Sequence, residues 1–296
     1  MDGNKPSALK VRQGLQEFMT QSREMSFGTE FSKEFFDVVN VDDIELNNLN
    51  LAFNNYKIIN LTDIHIGQWL NPEYLEGVVE YVNTLKPDMI TLTGDYVSYI
   101  LEGYEEDLKK SFKKLKAKDG KLAVLGNHDH WLGASEIRNI LKKADVKDLS
   151  NDVYTLKKSE KNDNHEKLLN IAGVDSYTVG ADNLDSVLKK LPNQGAAILL
   201  AHEPDFAKIS SESGRFGLQI SGHSHGGQFI IPGTNIAPFR GPKSTRYPVG
   251  KYKVKNMIQY TSRGLGTNTF WMRINCKPEI TLFHLKSNEK QKIEII

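Results

Sequence analysis

The sequence predicts an α/β fold in which layers of β-sheet lie inside, helices lie outside, and the chain ends in strands. Short apolar runs typical of buried strands alternate with segments whose apolar residues recur at helical spacing. Beyond Gln228 the pattern changes to short strands separated by turns rich in Gly and Pro. Because no linker-like segment divides the 296 residues, a single large domain is expected rather than two.

The strands are predicted from apolar runs and from the turns between them. Val38–Val41 and Leu49–Phe53 flank a polar turn, which predicts an opening hairpin. The lysine- and asparagine-rich segment Lys157–Lys167 is typical of a solvated hairpin turn. The remaining strands are predicted at Tyr56–Leu61, Met89–Thr93, Lys121–Leu125, Leu168–Val174, Ala196–Ala201 and Leu218–Ile220.

Three helices are predicted between these strands. Asn71 caps the first, with Pro72 at its first position. The second lies in Tyr104–Lys118 and the third around Ser135–Lys143.

An N-terminal extension, residues 1–35, precedes the domain proper at 36–288, and a short tail covers 289–296. Four apolar residues of the extension share one helical face, so a short amphipathic helix is predicted: Val11, Leu15, Phe18 and Met19. Three interpretations stay open for it: a helix docked on its own domain, a loose tail, or a helix on a membrane surface or partner.

Composition excludes several classes of protein. Thirty-eight basic and 37 acidic side chains give a net charge of +1, which argues against nucleic-acid binding by bulk electrostatics. The single cysteine, Cys276, excludes an internal disulfide framework and favours a reducing compartment. The sequence holds neither a bilayer-spanning apolar run nor the apolar core of a signal peptide. A soluble, cytoplasmic protein is therefore expected.

The residues that follow the strands predict a metal site. Five predicted strands end in polar side chains, and the carboxyl edge of an open α/β sheet is where ligands bind. In Asp63-x-His65 the two-residue period of a strand places both side chains on one side. The candidate ligands are Asp63, His65, Asp95, Asn127, His202, His223 and His225.

The chemistry of these ligands indicates which metals they suit. Imidazole, carboxylate and amide oxygen, without thiolate, suit Mn, Fe, Zn or Ni rather than a zinc finger. Seven ligands exceed the needs of one ion, so we expect two divalent or trivalent ions that share a bridging carboxylate.

The ordered motifs resemble the calcineurin-like metallophosphoesterase superfamily, in its branch of bacterial YkuE/YaeI-like phosphodiesterases. The resemblance runs from about Asn54 to His284 and is carried by Leu-Thr-Asp-Ile-His-Ile-Gly, Leu-Thr-Gly-Asp-Tyr-Val, Gly-Asn-His-Asp, Ala-His-Glu-Pro-Asp, Ser-Gly-His-Ser-His-Gly-Gly-Gln and Arg-Gly-Leu-Gly-Thr. It implies a metallophosphoesterase-type β-sandwich flanked by helices, with ββαβ-type units and C-terminal strands. One departure is Ser98, which stands where the superfamily often has a second aspartate.

The resemblance also implies roles for individual residues. One metal would be held by Asp63, His65 and His225, the second by Asn127, His202 and His223, with Asp95 between them. His128 would be the catalytic histidine that binds no metal, oriented by Asp129.

These roles predict a dinuclear phosphohydrolase. A hydroxide bridging the two ions would attack phosphorus in line while the ions clamp the phosphoryl oxygens. A phosphodiesterase or pyrophosphatase acting on a small substrate is expected, and some members of the branch are membrane-associated enzymes that cleave a lipid-linked pyrophosphate. The alternatives are a phosphomonoesterase or protein phosphatase, and a binding module without catalysis. Peripheral membrane contact and the oligomeric state stay open.

Four further residues are candidates for substrate contact. His130 would line the cleft or cap the following helix. Arg240, Lys243 and Arg246 would clamp a second phosphate or belong to a solvated loop. The remaining histidines, His165 and His284, are expected to be solvated or structural.

Overall fold

Two six-stranded β-sheets form the centre of the protein. The computed structural model describes residues 32–67, 69–158, 166–234, 236–268 and 272–288. Most of the predicted N-terminal extension, with its apolar stripe, and the C-terminal tail lie outside these residues. Phe35 belongs to the predicted extension, but it is buried and its ring packs edge-on against Tyr74.

The first sheet has the strand order β1-β12-β2-β3-β4-β5. All of its neighbours pair in parallel except β12 and β2, which are antiparallel. Its strands are β1 (Asp37–Leu46), β2 (Tyr56–Leu61), β3 (Met89–Thr93), β4 (Lys121–Val124), β5 (Lys147–Asp148) and β12 (Glu279–Ser287).

The second sheet has the order β10-β11-β9-β8-β7-β6. Its outer pairs, β10 with β11 and β6 with β7, are antiparallel, and its inner pairs are parallel. Its strands are β6 (Asp152–Lys158), β7 (Lys167–Gly173), β8 (Ala196–Leu200), β9 (Leu218–Ser221), β10 (Gly250–Val254) and β11 (Met257–Thr261).

The two sheets pack face to face and helices cover their outer faces. Ile58 and Val124 of the first sheet share one apolar cluster with Ile198 and Ile220 of the second. The helices are α1 (Pro72–Thr84), α2 (Glu105–Lys114), α3 (Asn127–Lys143), α4 (Leu184–Lys190) and the short α5 (Ala207–Ser210). The first three pack on the first sheet, and α4 and α5 pack on the second. The predicted α/β sandwich with flanking helices is confirmed.

Helix α1 shows how the sequence specifies these elements. The Asn71 side chain accepts the backbone N–H of Tyr74 at 2.9 Å, and Pro72 occupies the first helical position. The apolar face packs into the core through Leu75, Val78, Val79 and Val82. The Asn71 cap and the spacing of the apolar residues therefore indicate the same helix, and its predicted start is confirmed.

The predicted opening hairpin is wrong. Residues Asp37–Leu46 form one strand that pairs in parallel with β12, and Leu51–Phe53 is a short 3-10 helix. The register shifts between Val41 and Ile44, so the polar pair between them is accommodated as an irregularity within the strand. Polar residues that resembled a turn therefore belong to a bulge.

The third helix begins earlier than the sequence suggested. It starts at Asn127, directly after Gly126, and kinks at Gly133, whose φ of 135° is not helical. The predicted start near Ser135 lies just past this kink, because the glycine interrupts the helical apolar pattern. The motif Asn127-His128-Asp129 therefore forms the first turn of a helix.

Candidate metal centre

The predicted ligands meet at one edge of the sandwich. Strands β2, β3 and β4 are parallel neighbours in one sheet, and β8 and β9 are parallel neighbours in the other. The polar clusters follow the last residues of these strands, which places them along the carboxyl edges of both sheets. All seven predicted ligands are buried except His223, which is half-buried.

Asp63, His65 and His225 form the first group of ligands. The Nε2 atoms of His65 and His225 lie 3.1 Å apart, and His225 Nε2 lies 3.2 Å from Asp63 Oδ1. One ligand atom from each residue falls within 4.8 Å of the others, which is close enough to surround one ion.

Asp95, His202 and His223 form the second group. His202 Nε2 lies 3.2 Å from Asp95 Oδ2 and 3.3 Å from His223 Nδ1. The ligand atoms again lie within 4.8 Å of one another. Asp95 Oδ2 is also 3.6 Å from His65 Nε2, so Asp95 lies against a histidine of each group.

Backbone carbonyls fix the tautomers of the two histidines in the second group. His202 Nδ1–H donates to the carbonyl of Thr93 at 2.7 Å, which leaves Nε2, 3.2 Å from Asp95 Oδ2, as the atom available to a metal. His223 Nε2–H donates to the carbonyl of Pro242 at 2.8 Å, which leaves Nδ1 as the ligand atom. Such outer hydrogen bonds are typical of histidines that bind metals.

Asn127 supplies an independent observation that fits a metal. Its Oδ1 is buried and has no hydrogen-bond partner among the described residues, although buried polar atoms in proteins are normally paired. His225 Nδ1 is unpaired in the same sense. The donor set of imidazole, carboxylate and amide oxygen suits a divalent transition metal. The residues present therefore fit the metals that the sequence predicted.

The backbone around the ligands is unusually constrained. Five of the seven predicted ligands have a positive φ between 47° and 68°: Asp63, His65, Asp95, His223 and His225. The prediction that strand alternation aligns Asp63 with His65 is therefore wrong in its reason, since both lie in a loop after β2. Non-glycine residues adopt such φ values at a cost, and sites with a chemical role are where this cost is tolerated.

Two glycines leave room for the carboxylates. A Cβ built on Gly222 would collide with Asp63 Oδ2 and the Thr62 hydroxyl, and one on Gly126 would collide with Asp95 Oδ1. Neither glycine has a positive φ, so the requirement is steric rather than conformational.

Burial and mutual charge shift the pKa values in the centre. Burial lowers the pKa of His65 and of His225 well below the usual value, so both rings are neutral and their lone pairs are available to a cation. Burial raises the pKa of Asp63. For His202, burial lowers the pKa, but Asp95, Asp63 and Glu203 together outweigh burial and the net shift is upward. Carboxylates buried with imidazoles at this spacing favour a bound positive charge.

His128 lies beside the first ligand group and is held through both ring nitrogens. Its Nδ1–H donates to the carbonyl of Ser98 at 3.1 Å, and Asn268 Nδ2 donates to its Nε2 at 3.1 Å. The Ser98 hydroxyl is hydrogen-bonded to His65 Nδ1. Ser98 therefore supports both His65 and His128 from the position where the family often has an aspartate.

Asp129 does not act on His128 as the sequence-based interpretation expected. Both of its carboxylate oxygens are hydrogen-bonded to the backbone, accepting N–H groups of Asp95, Tyr96 and Gly126 at 2.8–2.9 Å. Asp129 thus joins the start of α3 to the loop after β3, and it acts on the position of Asp95.

The predicted substrate residues have different surroundings. His130 Nε2 pairs with Asp175 Oδ1 at 2.6 Å, and because His130 lies within α3 it does not cap that helix; its contact with substrate stays a prediction. Arg240 donates to carbonyls of its own loop, and it lines a cavity of about 460 Å³ together with His223 and His225. Lys243 Nζ lies 3.9 Å from the centre of the Tyr177 ring.

Arg246 lies at the surface, and Asp205 accepts its backbone N–H. Of the two remaining histidines, His284 pairs with Asp42 at 2.9 Å, in agreement with a structural role, and His165 lies outside the described residues. A larger cavity of about 760 Å³, lined by residues such as Trp69 and Arg263, contains none of the predicted ligands.

Sequence reasoning missed Asn268 and Glu203. Asn268 directly follows the Arg-Gly-Leu-Gly-Thr motif at 263–267, a position that could have directed attention to it. Glu203 is buried next to His202 and accepts the Ser176 hydroxyl at 2.6 Å and two backbone N–H groups. The position of Glu203 directly after His202, inside the motif Ala-His-Glu-Pro-Asp, could have indicated that it supports the site.

Fold and site together define a metal-dependent enzyme of the α/β class. Comparisons with known proteins specify its family. The family model for calcineurin-like phosphoesterases matches residues 56–227. The uncharacterized metallophosphoesterase YkuE of Bacillus subtilis is 32% identical over 240 residues, which cover 80% of this chain and 81% of that protein. The phosphodiesterase YaeI of Escherichia coli is 27% identical, covering 78% of this chain and 82% of that one.

A comparison with solved structures found the NAD nucleotidase of Haemophilus influenzae at a TM-score of 0.47. Its sequence is 16% identical, and the match covers 70% of this chain and 45% of that one.

The chain belongs to the calcineurin-like phosphoesterase family and is a metal-dependent hydrolase of phosphate esters. The resemblance inferred from the motifs is confirmed. Among the described helices, none is both long and apolar enough to cross a membrane.

Proposed function

We propose that this protein is a phosphodiesterase or pyrophosphatase with a dinuclear metal centre. One observation carries the proposal: Asp95 Oδ2 lies 3.6 Å from His65 Nε2 in the first ligand group and 3.2 Å from His202 Nε2 in the second. A carboxylate shared in this way suits two neighbouring cations. In this proposal Asn127 joins the second group through its unpaired Oδ1.

The protein's own residues prepare the centre for phosphoryl chemistry. Two bound cations would supply an activated water and charge stabilisation of the phosphoryl oxygens. His128 lies at the rim of the first group, and its Nδ1–H is committed to the Ser98 carbonyl. Its Nε2, which accepts the Asn268 amide in this structure, is the ring nitrogen left for the substrate. Only the imidazolium form, with a proton on Nε2 and Asn268 moved aside, would donate to a phosphoryl oxygen or protonate the leaving oxygen.

The surroundings of the centre support a substrate with groups on both sides of phosphorus. Trp131 is 61% exposed and its ring centre lies 4.7 Å from that of His128. On another side, Phe239 and Arg240 line the cavity beside His223 and His225. Two distinct walls suit a diester better than a terminal phosphate, and the name of the relative YaeI agrees.

A location in the cytoplasm, free or peripheral to a membrane, is part of the proposal. Its support is the cysteine content: a single cysteine, Cys276, allows no disulfide framework within the chain, which is typical of proteins in a reducing compartment.

The test compares two chromogenic substrates on the purified chain. Metal is first removed by chelation, and Mn²⁺ is then titrated back while bound metal per chain is measured. We expect activity to return as two ions bind, with bis-p-nitrophenyl phosphate cleaved faster than p-nitrophenyl phosphate. Faster monoester cleavage would replace the proposal by a phosphomonoesterase, and full activity with one ion per chain would exclude the dinuclear centre.

A further inference from the structure

The cavity lined by His223 and His225 opens to solvent, and this opening is called the mouth of the metal centre below. Exposed apolar side chains lie near it. In the described part of the chain, eight large apolar side chains are exposed. Six of them lie either on α3 beside His128 or in the loops 231–239 and 272–274, next to the cavity that contains His223 and His225. These six are between 38% and 61% exposed: Trp131, Ile231, Ile236, Phe239, Met272 and Ile274. They are called the apolar rim below.

Hydrogen bonds to the backbone place four of the rim residues, while Trp131 lies beside His128 and Phe239 lines the cavity with His223 and His225. The N–H of Ile274 donates to the carbonyl of Gln228, and the N–H of Ile231 donates to the carbonyl of Ile236. The Gln228 side chain donates to the carbonyl of Met272 at 3.0 Å and accepts the N–H of Asn268 at 2.7 Å. Gln228 also lines the cavity that contains His223 and His225. The loops of the rim are therefore joined directly to the mouth.

The segment that contains most of the rim residues carries basic side chains but no acidic ones. Residues 213–278 contain ten Lys and Arg and no Asp or Glu, whereas the whole chain has a net charge of only +1. Some of these cations are paired internally, such as Arg263 with Asp37 and Glu279. Arg240, Arg246 and Lys277, by contrast, are exposed residues in or next to the loops of the rim.

We infer that the apolar rim docks onto a bilayer that contains anionic phospholipid, with the mouth of the centre toward the lipid. Exposed apolar side chains with cations at their border are the pattern by which proteins bind a membrane interface without crossing it. An exposed Trp such as Trp131 favours the boundary between lipid and water. The exposed Arg240, Arg246 and Lys277 give the loops of the rim the positive charge that attracts anionic lipids.

The experiment is co-sedimentation of the full metal-loaded chain with vesicles. One set contains phosphatidylcholine alone, and the other contains phosphatidylcholine with phosphatidylglycerol. We expect binding to the anionic vesicles that weakens as salt is raised. The rim variant Ile236→Ser/Met272→Ser/Ile274→Ser should bind about tenfold or more weakly, because its apolar side chains no longer enter the interface.

Leu51 and Ile209 provide a matched control. They are exposed to 41% and 40% and lie outside the rim, so Leu51→Ser/Ile209→Ser should bind anionic vesicles as the wild type does. The inference is overturned if the wild type does not bind them, or if the rim variant binds equally well. It is also overturned if the wild type is a dimer that the rim variant dissociates, since the rim would then be a protein interface.

The inference builds on the proposed function, but the two can fail separately. Cleavage of the soluble diester by the rim variant should equal that of the wild type, because its three residues contact none of the ligands named above. Vesicle binding without any diesterase activity would refute the proposed function and leave the docking surface standing. Diesterase activity without vesicle binding would refute the docking surface and leave the proposed function standing.

Discussion

Asn268 donates a hydrogen bond from Nδ2 to Nε2 of His128 at 3.1 Å, and the carbonyl of Ser98 accepts the opposite ring N–H at the same distance. The ring of His128 is thereby oriented by two groups that come from different parts of the chain. The backbone N–H of Asn268 is itself fixed by Gln228 Oε1 at 2.7 Å. Asn268 is therefore placed to position His128, the histidine proposed to be catalytic.

The first prediction follows from this contact. Asn268→Ala should lower kcat for bis-p-nitrophenyl phosphate by about ten- to a hundredfold, because a small misplacement of a catalytic group has an effect of that size. KM and bound metal should stay near the wild-type values, since Asn268 is not among the predicted ligands. Steady-state kinetics and metal analysis check this, with Asn256→Ala, a substitution of an exposed turn residue, as a control. A loss of metal would show that Asn268 supports the centre instead.

The second prediction concerns His128 itself. His128→Ala should reduce turnover by about 10²- to 10⁴-fold, the range for a missing proton donor, while both metals remain bound. The check is elemental analysis on the same sample as the kinetics. His284→Ala, which removes a histidine paired with Asp42 away from the centre, should leave both quantities unchanged. Release of one ion from His128→Ala would make His128 a ligand.

The third prediction tests the shared carboxylate. Asp95→Asn removes the negative charge that lies near both His65 and His202, so affinity for both ions should fall. The decrease should exceed the about 10- to 100-fold typical of a lost outer partner of a ligand. Isothermal titration with Mn²⁺ measures the two affinities. If only one ion is weakened, Asp95 serves a single site.

The fourth prediction is a pH dependence outside the centre. Glu76 on α1 accepts hydrogen bonds from Lys110 and Lys114 of α2 at 2.8 Å, and these lower its pKa from 4.5 to about 2. A carboxylate with a lowered pKa in the folded state stabilises the fold above its unfolded-state pKa, and this contribution is lost as pH falls toward 2.

Glu76→Gln should therefore decrease the free energy of unfolding by about 0.5–1 kcal/mol at pH 7, the scale of a partly exposed ion pair. The difference from wild type should shrink at pH 3.5, where the unfolded carboxyl is largely protonated. Urea unfolding at both pH values measures it, with the exposed Glu80→Gln on the same helix as control. An equal difference at both pH values would contradict the ion-pair explanation.

The sequence predicted the strands and the grouping of the candidate ligands at one edge because both depend on local signals. The five strands that precede the ligands are found within one or two residues of their predicted ends, since buried apolar runs bounded by Gly and polar residues leave little choice. Ligands bind at the carboxyl edge of an α/β sheet, and this rule predicted that Asp63, Asp95 and His202 lie close together before any distance was known. The assignment of individual ligands to ions stays a prediction.

What the sequence did not predict depends on long-range packing. The first strand pairs with β12, more than 230 residues away, so its local pattern resembled half of a hairpin. The partners of His128 come from Ser98 and from Asn268, and nothing in the Gly-Asn-His-Asp motif specifies them. The sequence pattern did not reveal the helix start at Asn127, because the first turn consists of polar residues with low helix propensity that belong to the site.

The last prediction concerns the room that a glycine leaves for a ligand. A methyl group at Gly222 would collide with Asp63 Oδ2 and the Thr62 hydroxyl, both of which are buried, so the carboxylate must shift. Gly222→Ala should weaken the ion held by the first group by about 10- to 100-fold, the range seen when a ligand loses its orientation, and activity should fall with it.

Metal titration and the circular-dichroism spectrum of the variant separate this effect from general unfolding. Gly241→Ala is the control, because a Cβ there would meet only the Ser244 hydroxyl oxygen at an ordinary 3.6 Å. Activity of Gly222→Ala that is restored at high Mn²⁺ would agree with a displaced but intact ligand. Wild-type metal affinity in Gly222→Ala would show instead that Asp63 can move without loss, and its place among the ligands would have to be abandoned.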